Sequence, residues 1–395
     1  MLLGGIHYLL PVIKAAHEQG YYVITVDNVP DNIAHKYSNE YANVSIVDKD
    51  AVLAAARERQ IDGIISFGVD PGVETAAYVQ EQMGLPSMGP YESVRILQNK
   101  DLFRAFLRDN GFNVPEARGY SSVEDALQDT EWLRFPMIVK PTDSAGSKGV
   151  TRVDNIEEYE KAVRYAFTKS IKGRVIVEEF IELSGYQSGS DSFVLDGKLV
   201  FTSFDDQHFD ASADNPFTPS AHTWPSTMPM EAQIYLTSEL QRLISLLKMR
   251  TSLYNIEARV GKNGKPYIIE ASPRAGGNRL SELLSMATGQ DLIIASLKAA
   301  VGTKVTIREA EYDGYWVNII LHTPISGILE KVDISSKIQS NIKDYLMYKQ
   351  EGDYVSGFQA ANEALGSLFM RFDTREDMER AVTCQSEWLK IIVKS

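Results

Sequence analysis

The chain has 395 residues, with 44% hydrophobic and 24% charged residues and a net charge of −13. That length predicts two or three domains with ample core, and the acidic balance excludes a general nucleic-acid binder while leaving room for a local basic cleft. No apolar run reaches the length of a membrane span, and one cysteine, Cys384, excludes an internal disulfide and a cysteine metal cage. The opening Met1-Leu2-Leu3-Gly4-Gly5 lacks the basic start of a signal peptide, so a cytoplasmic location is expected.

Residues 1–95 alternate short apolar runs with helical stretches. Helices are expected at Tyr8 to Gln19, Asp50 to Arg59 and from Val73, and strands at Tyr21 to Val26, Val44 to Val47 and Ile61 to Phe67. The βαβα rhythm predicts an open parallel sheet with helices on both faces. Gly4-Gly5 before a helix fits a tight βα turn better than a phosphate site, because no Gly-x-Gly-x-x-Gly follows; nor is there a P-loop anywhere in the chain.

Gly84 to Pro90 marks a boundary, followed by a helix over 91–110 that carries Lys100. Residues 115–182 read as a small α+β unit. Met137-Ile138-Val139 is a buried strand ending at Lys140, and Thr142 to Gly149 form a Gly/Ser loop that includes Ser144, Gly146, Ser147 and Gly149. Such a loop either cradles an anion with its backbone N–H groups, next to the Lys140 charge, or is an ordinary turn. A second buried strand, Val175-Ile176-Val177, runs into Glu178-Glu179-Phe180-Ile181.

Phe193 to Phe204 form a hairpin around Asp196-Gly197. Residues 205–229 carry His208, Asp210, His222 and four prolines and read as a long irregular segment, of the kind that selects a substrate. A helix over 229–249 leads to a hairpin of Tyr254 to Val260 and Pro266 to Ala271, closed by Gly261-Lys262-Asn263-Gly264. Glu257 and Glu270 lie on its two strands, 13 residues apart, a spacing that lets both face the same side. Two carboxylates so placed repel unless a cation lies between them, and oxygen ligands beside phosphate suit Mg²⁺; the alternative is a pair of exposed strand-end glutamates. Arg274 stands at the mouth of the Gly276-Gly277-Asn278 turn, as a binder of phosphoryl or carboxylate groups or as a surface arginine. Residues 303–395 read as an α+β cap, with strands at Tyr315 to Leu321 and Ser367 to Phe372 and a helix at Asp373 to Thr383.

The order of Lys100, Lys140, the Gly/Ser loop, Val177-Glu178-Glu179-Phe180-Ile181, Glu257 and Glu270-x-x-x-Arg274 with Gly276-Gly277 resembles the ATP-grasp superfamily over roughly residues 1–300. The group holding phosphoribosylglycinamide synthetase, biotin carboxylase, carbamoyl-phosphate synthase and amino-acid ligases is nearest in layout. The resemblance implies a mixed α/β and α+β fold. It has a parallel-sheet pre-ATP-grasp domain at 1–90 and an ATP-grasp domain at 91–302, with a lid at about 115–182 and a catalytic core at about 183–302. A C-terminal cap follows at 303–395.

The resemblance also implies roles. Lys100 and Lys140 contact ATP phosphates, and 142–149 fold over them. Glu178 accepts from the adenine amino group, while the backbone of Glu179 and Ile181 pairs with the ring edge. Glu257 and Glu270 hold Mg²⁺ or Mn²⁺, and Arg274 stabilises the transferring phosphoryl group. Two departures stand out. Gln187 takes the place of a ribose-binding Glu, and Ser272 that of an Asn metal ligand, whose place water or Asn278 could fill.

The activity implied is a carboxylate–amine ligase working through an acyl phosphate and releasing ADP and phosphate. His208, His222, Gly276, Gly277 and Asn278 are expected at small-molecule substrates, with no nucleic-acid or membrane partner, and a homodimer is left open. The alternatives are an enzyme that uses bicarbonate and a nucleotide-binding regulatory protein without ligase chemistry.

Overall fold

The computed structural model describes residues 1–143, 148–213 and 215–394. Its N-terminal sheet is parallel: Leu2–Leu3, Ile24–Asp27 and Glu40–Asn43 lie side by side, and Leu2 makes one further parallel bridge to Ile65. The expected strand at 61–67 thus reduces to that bridge, and the strand expected at 44–47 lies earlier, at Glu40–Asn43. Helices Leu10–Glu18, Lys49–Glu58 and Val73–Met83 cover the sheet, the second capped by the Asp48 carboxylate, which accepts from Ala51 N–H. Gly5 is explained by close approach: a Cβ there would stand 2.6 Å from both Asn32 and His35, so this is the tight turn the sequence favoured.

The helix expected over 91–110 is two helices, Tyr91–Gln98 and Lys100–Asp109, broken where Asn99 takes an extended backbone. Buried Val94, Phe103 and Leu107 pack in one core with Leu3 and Val26 of the N-terminal sheet and with Tyr254 and Ile256. The helix bearing Lys100 is therefore packed both on the N-terminal sheet and on the stretch that carries Tyr254 and Ile256.

The second sheet is antiparallel, in the order Ala117–Tyr120, Val175–Glu179, Met137–Pro141, Thr151–Val153, and Ile156–Lys169 packs on its inner face through Tyr159, Val163 and Ala166. The third sheet orders Pro266–Ser272, Ser252–Val260, Ser188–Leu195 and Lys198–Thr202, all antiparallel.

The largest departure concerns 205–229. Part of the segment is regular: Asp206–Phe209 and Pro219–Trp224 pair antiparallel, and the second continues onto Tyr315–Leu321, Gly366–Phe372 and Ile342–Met347. Two of the five strands of this sheet come from before residue 230, so the sheet crosses the boundary expected at 303. A last sheet joins Tyr354–Val355, Gly327–Ile334 and Leu389–Lys394. No helix among the described residues is long and apolar enough to cross a membrane.

Candidate active site

Strand register decides which side chains meet. Ile138 stands opposite Glu178 in the second sheet, so Lys140, two residues on, shares that face and lies diagonal to Glu178. The two form an ion pair, with Lys140 7% and Glu178 5% exposed. Arg104 closes the same carboxylate from the other side, Nε donating to Oε2 at 2.9 Å, while its Nη1 donates to the Ile269 carbonyl at 2.7 Å. Burial would raise the Glu178 carboxyl, but Arg104 and Lys140 outweigh it and hold its pKa at about 2. Burial in turn pulls the Lys140 ammonium down, and the charges of Arg104 and Lys100 add to this against Glu178. Two cations thus take up the carboxylate that was expected at an adenine amino group. Next to it Glu179 N–H is taken by the Glu116 carbonyl, at 2.8 Å, and Ile181 N–H has no backbone partner among the described residues.

In the third sheet Glu257 and Glu270 are direct register partners, so both carboxylates share one face as the turn spacing predicts. Lys100 reaches Glu270 at 3.3 Å. Burial and the Glu270 charge raise the Glu257 carboxyl, whereas for Glu270 the effect of burial is overcome by Lys100, Arg274 and Lys140. One carboxylate of the pair is matched by cations and the other is in conflict with it. A divalent cation between them removes that conflict, so the pair fits one. Among the described residues there is no group of three or more acidic, His or Cys side chains placed for a metal.

Ser272 does not belong to this pair. Its hydroxyl donates to Asp70 Oδ1 at 3.2 Å and accepts from Gln98 Nε2 at 2.8 Å, which places it in the Arg274 network instead of among metal ligands. Arg274 is held side-on by Asp70, Nε and Nη2 each donating at 2.7 Å.

These groups converge. A cavity of about 280 Å³ is lined by Lys100, Lys140, Glu178, Glu179, Ile181, Gln187, Glu257, Glu270 and Arg274, with Lys148, Arg259, Phe180 and Phe217. Gln187 is not free to follow a sugar hydroxyl. Its oxygen accepts from Arg259, which fixes the amide so that its Nε2 donates to Gln207 Oε1 at 2.9 Å.

Other expectations are corrected. His222 is 2% exposed and does not line the cavity; its Nδ1 bonds Asp205 at 2.6 Å, and its ring stacks on Trp224. His208 lines a separate open groove, with Nε2 bonded to Thr223 at 3.1 Å. Gly276, Gly277 and Asn278 lie beside the cavity without lining it. Gly276 N–H donates to the buried Asp191 at 2.7 Å, and a Cβ there would meet Leu280 at 2.5 Å and Asn255 at 2.7 Å. Asn278 Oδ1 accepts from the Tyr8 hydroxyl at 3.2 Å. Gly149 lies against Pro141 and Lys169, while Ser144, Gly146 and Ser147 fall outside the described residues.

Sequence reading missed Arg104, Arg259 and Asp70. Arg104 was within reach: it follows Lys100 by four residues, and helical spacing puts both on one face. Arg259 shares the alternation of Glu257 on its strand. Asp70 carries no local signal, since its partner is 204 residues away.

Residues 133–282 match the ATP-grasp domain family model. The carbamoyl phosphate synthase large chain of Thermotoga neapolitana is 26% identical over 306 residues, covering 77% of this chain and 27% of that protein. The chain thus spans about a quarter of the length of such relatives. Two solved structures share its fold. The L-amino acid ligase from Bacillus licheniformis has a TM-score of 0.82 at 20% identity, covering 100% of this chain and 98% of that one. The biotin carboxylase domain of Hydrogenobacter thermophilus 2-oxoglutarate carboxylase, crystallised with MgADP and bicarbonate, has a TM-score of 0.74 at 18% identity, covering 100% and 90%. Residues 133–282 therefore form an ATP-grasp domain, and ATP-grasp enzymes use ATP and Mg²⁺.

Proposed function

We propose that this chain is an ADP-forming ligase that phosphorylates a carboxylate with ATP and passes the activated acyl group to an amine. The observation that carries the reading is one cavity in which Glu257 and Glu270 face each other beside Lys100, Lys140 and Arg274. Glu257 and Glu270 hold Mg²⁺, which neutralises phosphate charge when bound. Lys140 and Lys100 reach the phosphate chain from the second sheet and from the Lys100–Asp109 helix. Ile181 N–H meets the adenine edge. Cations gathered at the terminal phosphate favour attack of a carboxylate oxygen on the γ-phosphorus, with the bond to ADP breaking. Amine nitrogen then attacks the acyl carbon and phosphate leaves.

Support for an organic acid comes from the fold shared with an amino acid ligase. A second reading, bicarbonate as the acid, is favoured by the sequence likeness to carbamoyl phosphate synthase large chains. ATP turnover against a panel of amino acids, other carboxylates and bicarbonate, each with and without amines, separates the two. ADP and phosphate are the expected products, and hydroxylamine should trap an organic acyl phosphate as a hydroxamate. AMP and pyrophosphate from the true substrates would overturn the mechanism, and no turnover with any acid would favour a regulatory role.

A further inference from the structure

Arg274 has five N–H bonds to place. Asp70 takes two, at Nε and Nη2, and the Ala275 carbonyl takes one from Nη1 at 2.6 Å. One N–H remains on each terminal nitrogen, and Arg274 lines the cavity that holds Glu257 and Glu270. A guanidinium so held is turned by its partner as much as by its own side chain, because the side-on fork fixes the plane.

Asp70 is itself anchored. It opens the single-turn helix Asp70–Gly72, which follows the residues bridged to the N-terminal sheet. Its Oδ1 also accepts from Ser272 Oγ, which accepts from Gln98 at the end of the Tyr91–Gln98 helix. Three elements thereby converge on one carboxylate whose strongest bonds go to the arginine. Ser272 has the size for this: its hydroxyl can accept from Gln98 and donate to Asp70 at once. Neither Asp70 nor Gln98 was expected at the site, and Ser272 was expected at a metal.

We propose that Asp70 is a positioning residue for phosphoryl transfer: it orients Arg274 toward the terminal phosphate, and Ser272 and Gln98 hold Asp70 in place. Through it the N-terminal segment completes a site otherwise built from residues 100–274. The inference rests on the phosphoryl-transfer reading above. The competing account is that the ion pair only docks the N-terminal sheet on the third sheet.

The test uses the full chain and measures binding of MgADP alone and of MgADP with vanadate, a mimic of the phosphoryl group in transit. In the unaltered chain vanadate should tighten MgADP binding. Asp70→Asn should keep MgADP affinity within about twofold and lose about tenfold of the vanadate enhancement. Arg274→Ala should lose it too, and Asp70→Asn added to Arg274→Ala should cost nothing more, because Asp70 acts through that arginine. Should Asp70→Asn fail to fold, Ser272→Ala, which removes one bond to Asp70, should show a smaller loss in the same direction. A full enhancement in Asp70→Asn, or in Ser272→Ala where that variant must stand in, or additive losses in the double variant, overturns the proposal. Absence of any vanadate effect in the unaltered chain marks failure of the phosphoryl-transfer reading itself, and the proposal goes with it.

Discussion

Two polar regions lie inside this molecule, and they are built on opposite rules. Around the cavity, charges conflict: Glu257 faces Glu270, and Lys140, Arg104 and Lys100 gather near one another. Between the third sheet and the sheet built on Tyr315–Leu321 lies a second region whose buried carboxylates are each met by several donors. There Asp205 accepts from Ser188 Oγ at 2.8 Å, from Gly189 N–H at 2.6 Å and from His222, while Asp191 accepts from Gly276 N–H and from Ser281 Oγ at 2.6 Å. Trp224 Nε1 donates to Ser190 Oγ at 3.1 Å, and Asn318 Nδ2 to the Asn278 carbonyl at 2.6 Å. Carboxylates met by the protein's own donors have no need of a ligand, whereas a cluster that keeps like charges together gains from an added counter-charge. Both regions hold buried carboxylates, so burial of an acid does not by itself point to function.

The comparison can be broken first at Glu178, which belongs to the cavity but is the best compensated charge in it. Removing its carboxylate leaves Lys140 and Arg104 buried without it, and Glu178→Ala should cost about 3–5 kcal/mol in denaturant unfolding. The same carboxylate predicts an acid limb. Its folded pKa, about 2, lies below the ordinary value of 4.5, so its contribution is present above pH 4.5 and is lost as pH falls toward 2. That contribution is at most about 3 kcal/mol and is offset in part by the depressed Lys140. Unfolding curves at pH 7 and pH 3 for the native chain and for Glu178→Gln should converge as pH falls; parallel curves would remove this pair from the stability account.

The conflicted pair predicts the reverse. Glu270→Gln and Glu257→Gln should each lower ATP turnover by about 10²–10³-fold or raise the magnesium needed. Yet Glu257→Gln removes the charge that Glu270 opposes, so the magnesium-free protein should hold its stability or gain up to about 1 kcal/mol. Thermal melts in the presence of a chelator check this. A loss of stability in Glu257→Gln would mean that the pair is satisfied by the protein alone.

In the satisfied region His222→Ala should cost about 2 kcal/mol, since it strips a buried bond from Asp205 and leaves space against Trp224. ATP affinity and acid preference should stay unchanged in the folded fraction. A changed acid preference would restore the substrate role that the sequence suggested.

Legibility followed distance along the chain. Glu257 and Glu270 are joined by one tight hairpin, so their shared face could be read from turn length and alternation. Lys140 and the Glu178 strand end announced themselves as charged residues after apolar runs. What failed was non-local. Asp206–Phe209 and Pro219–Trp224 are short, the first polar and the second starting at one proline and followed by another, and they become strands by pairing with each other and, for the second, with Tyr315–Leu321, about a hundred residues on. Ile61 to Phe67 failed the other way: a run apolar enough for a strand makes a single bridge at Ile65. Asp70 sits in a turn whose sequence says only that the chain bends, and its bonds to Arg274 span 204 residues of sequence.

The smallest expected effect belongs to His208, and it separates the outer face of the hairpin from the cavity side. Residues alternate across a strand, so His208 and its neighbour Gln207 point to opposite faces of Asp206–Phe209. Gln207 reaches the cavity and the Gln187 amide, while His208 turns to the groove shared with Asp210 and His322. Its side chain makes one bond to Thr223 and a tilted contact with the Tyr186 ring, with centroids 4.7 Å apart. Burial depresses the imidazole, with Asp206 and Asp205 acting against that and His222 adding to it, so near neutral pH the ring is uncharged and its loss removes no ion pair. His208→Ala should therefore cost no more than about 1 kcal/mol in stability and leave ATP affinity and acid preference as they were. Gln207→Ala, one residue away, removes a side chain that lines the cavity and should weaken nucleotide binding. Equal effects of the two substitutions on nucleotide affinity would show that the two faces of this strand are not functionally distinct.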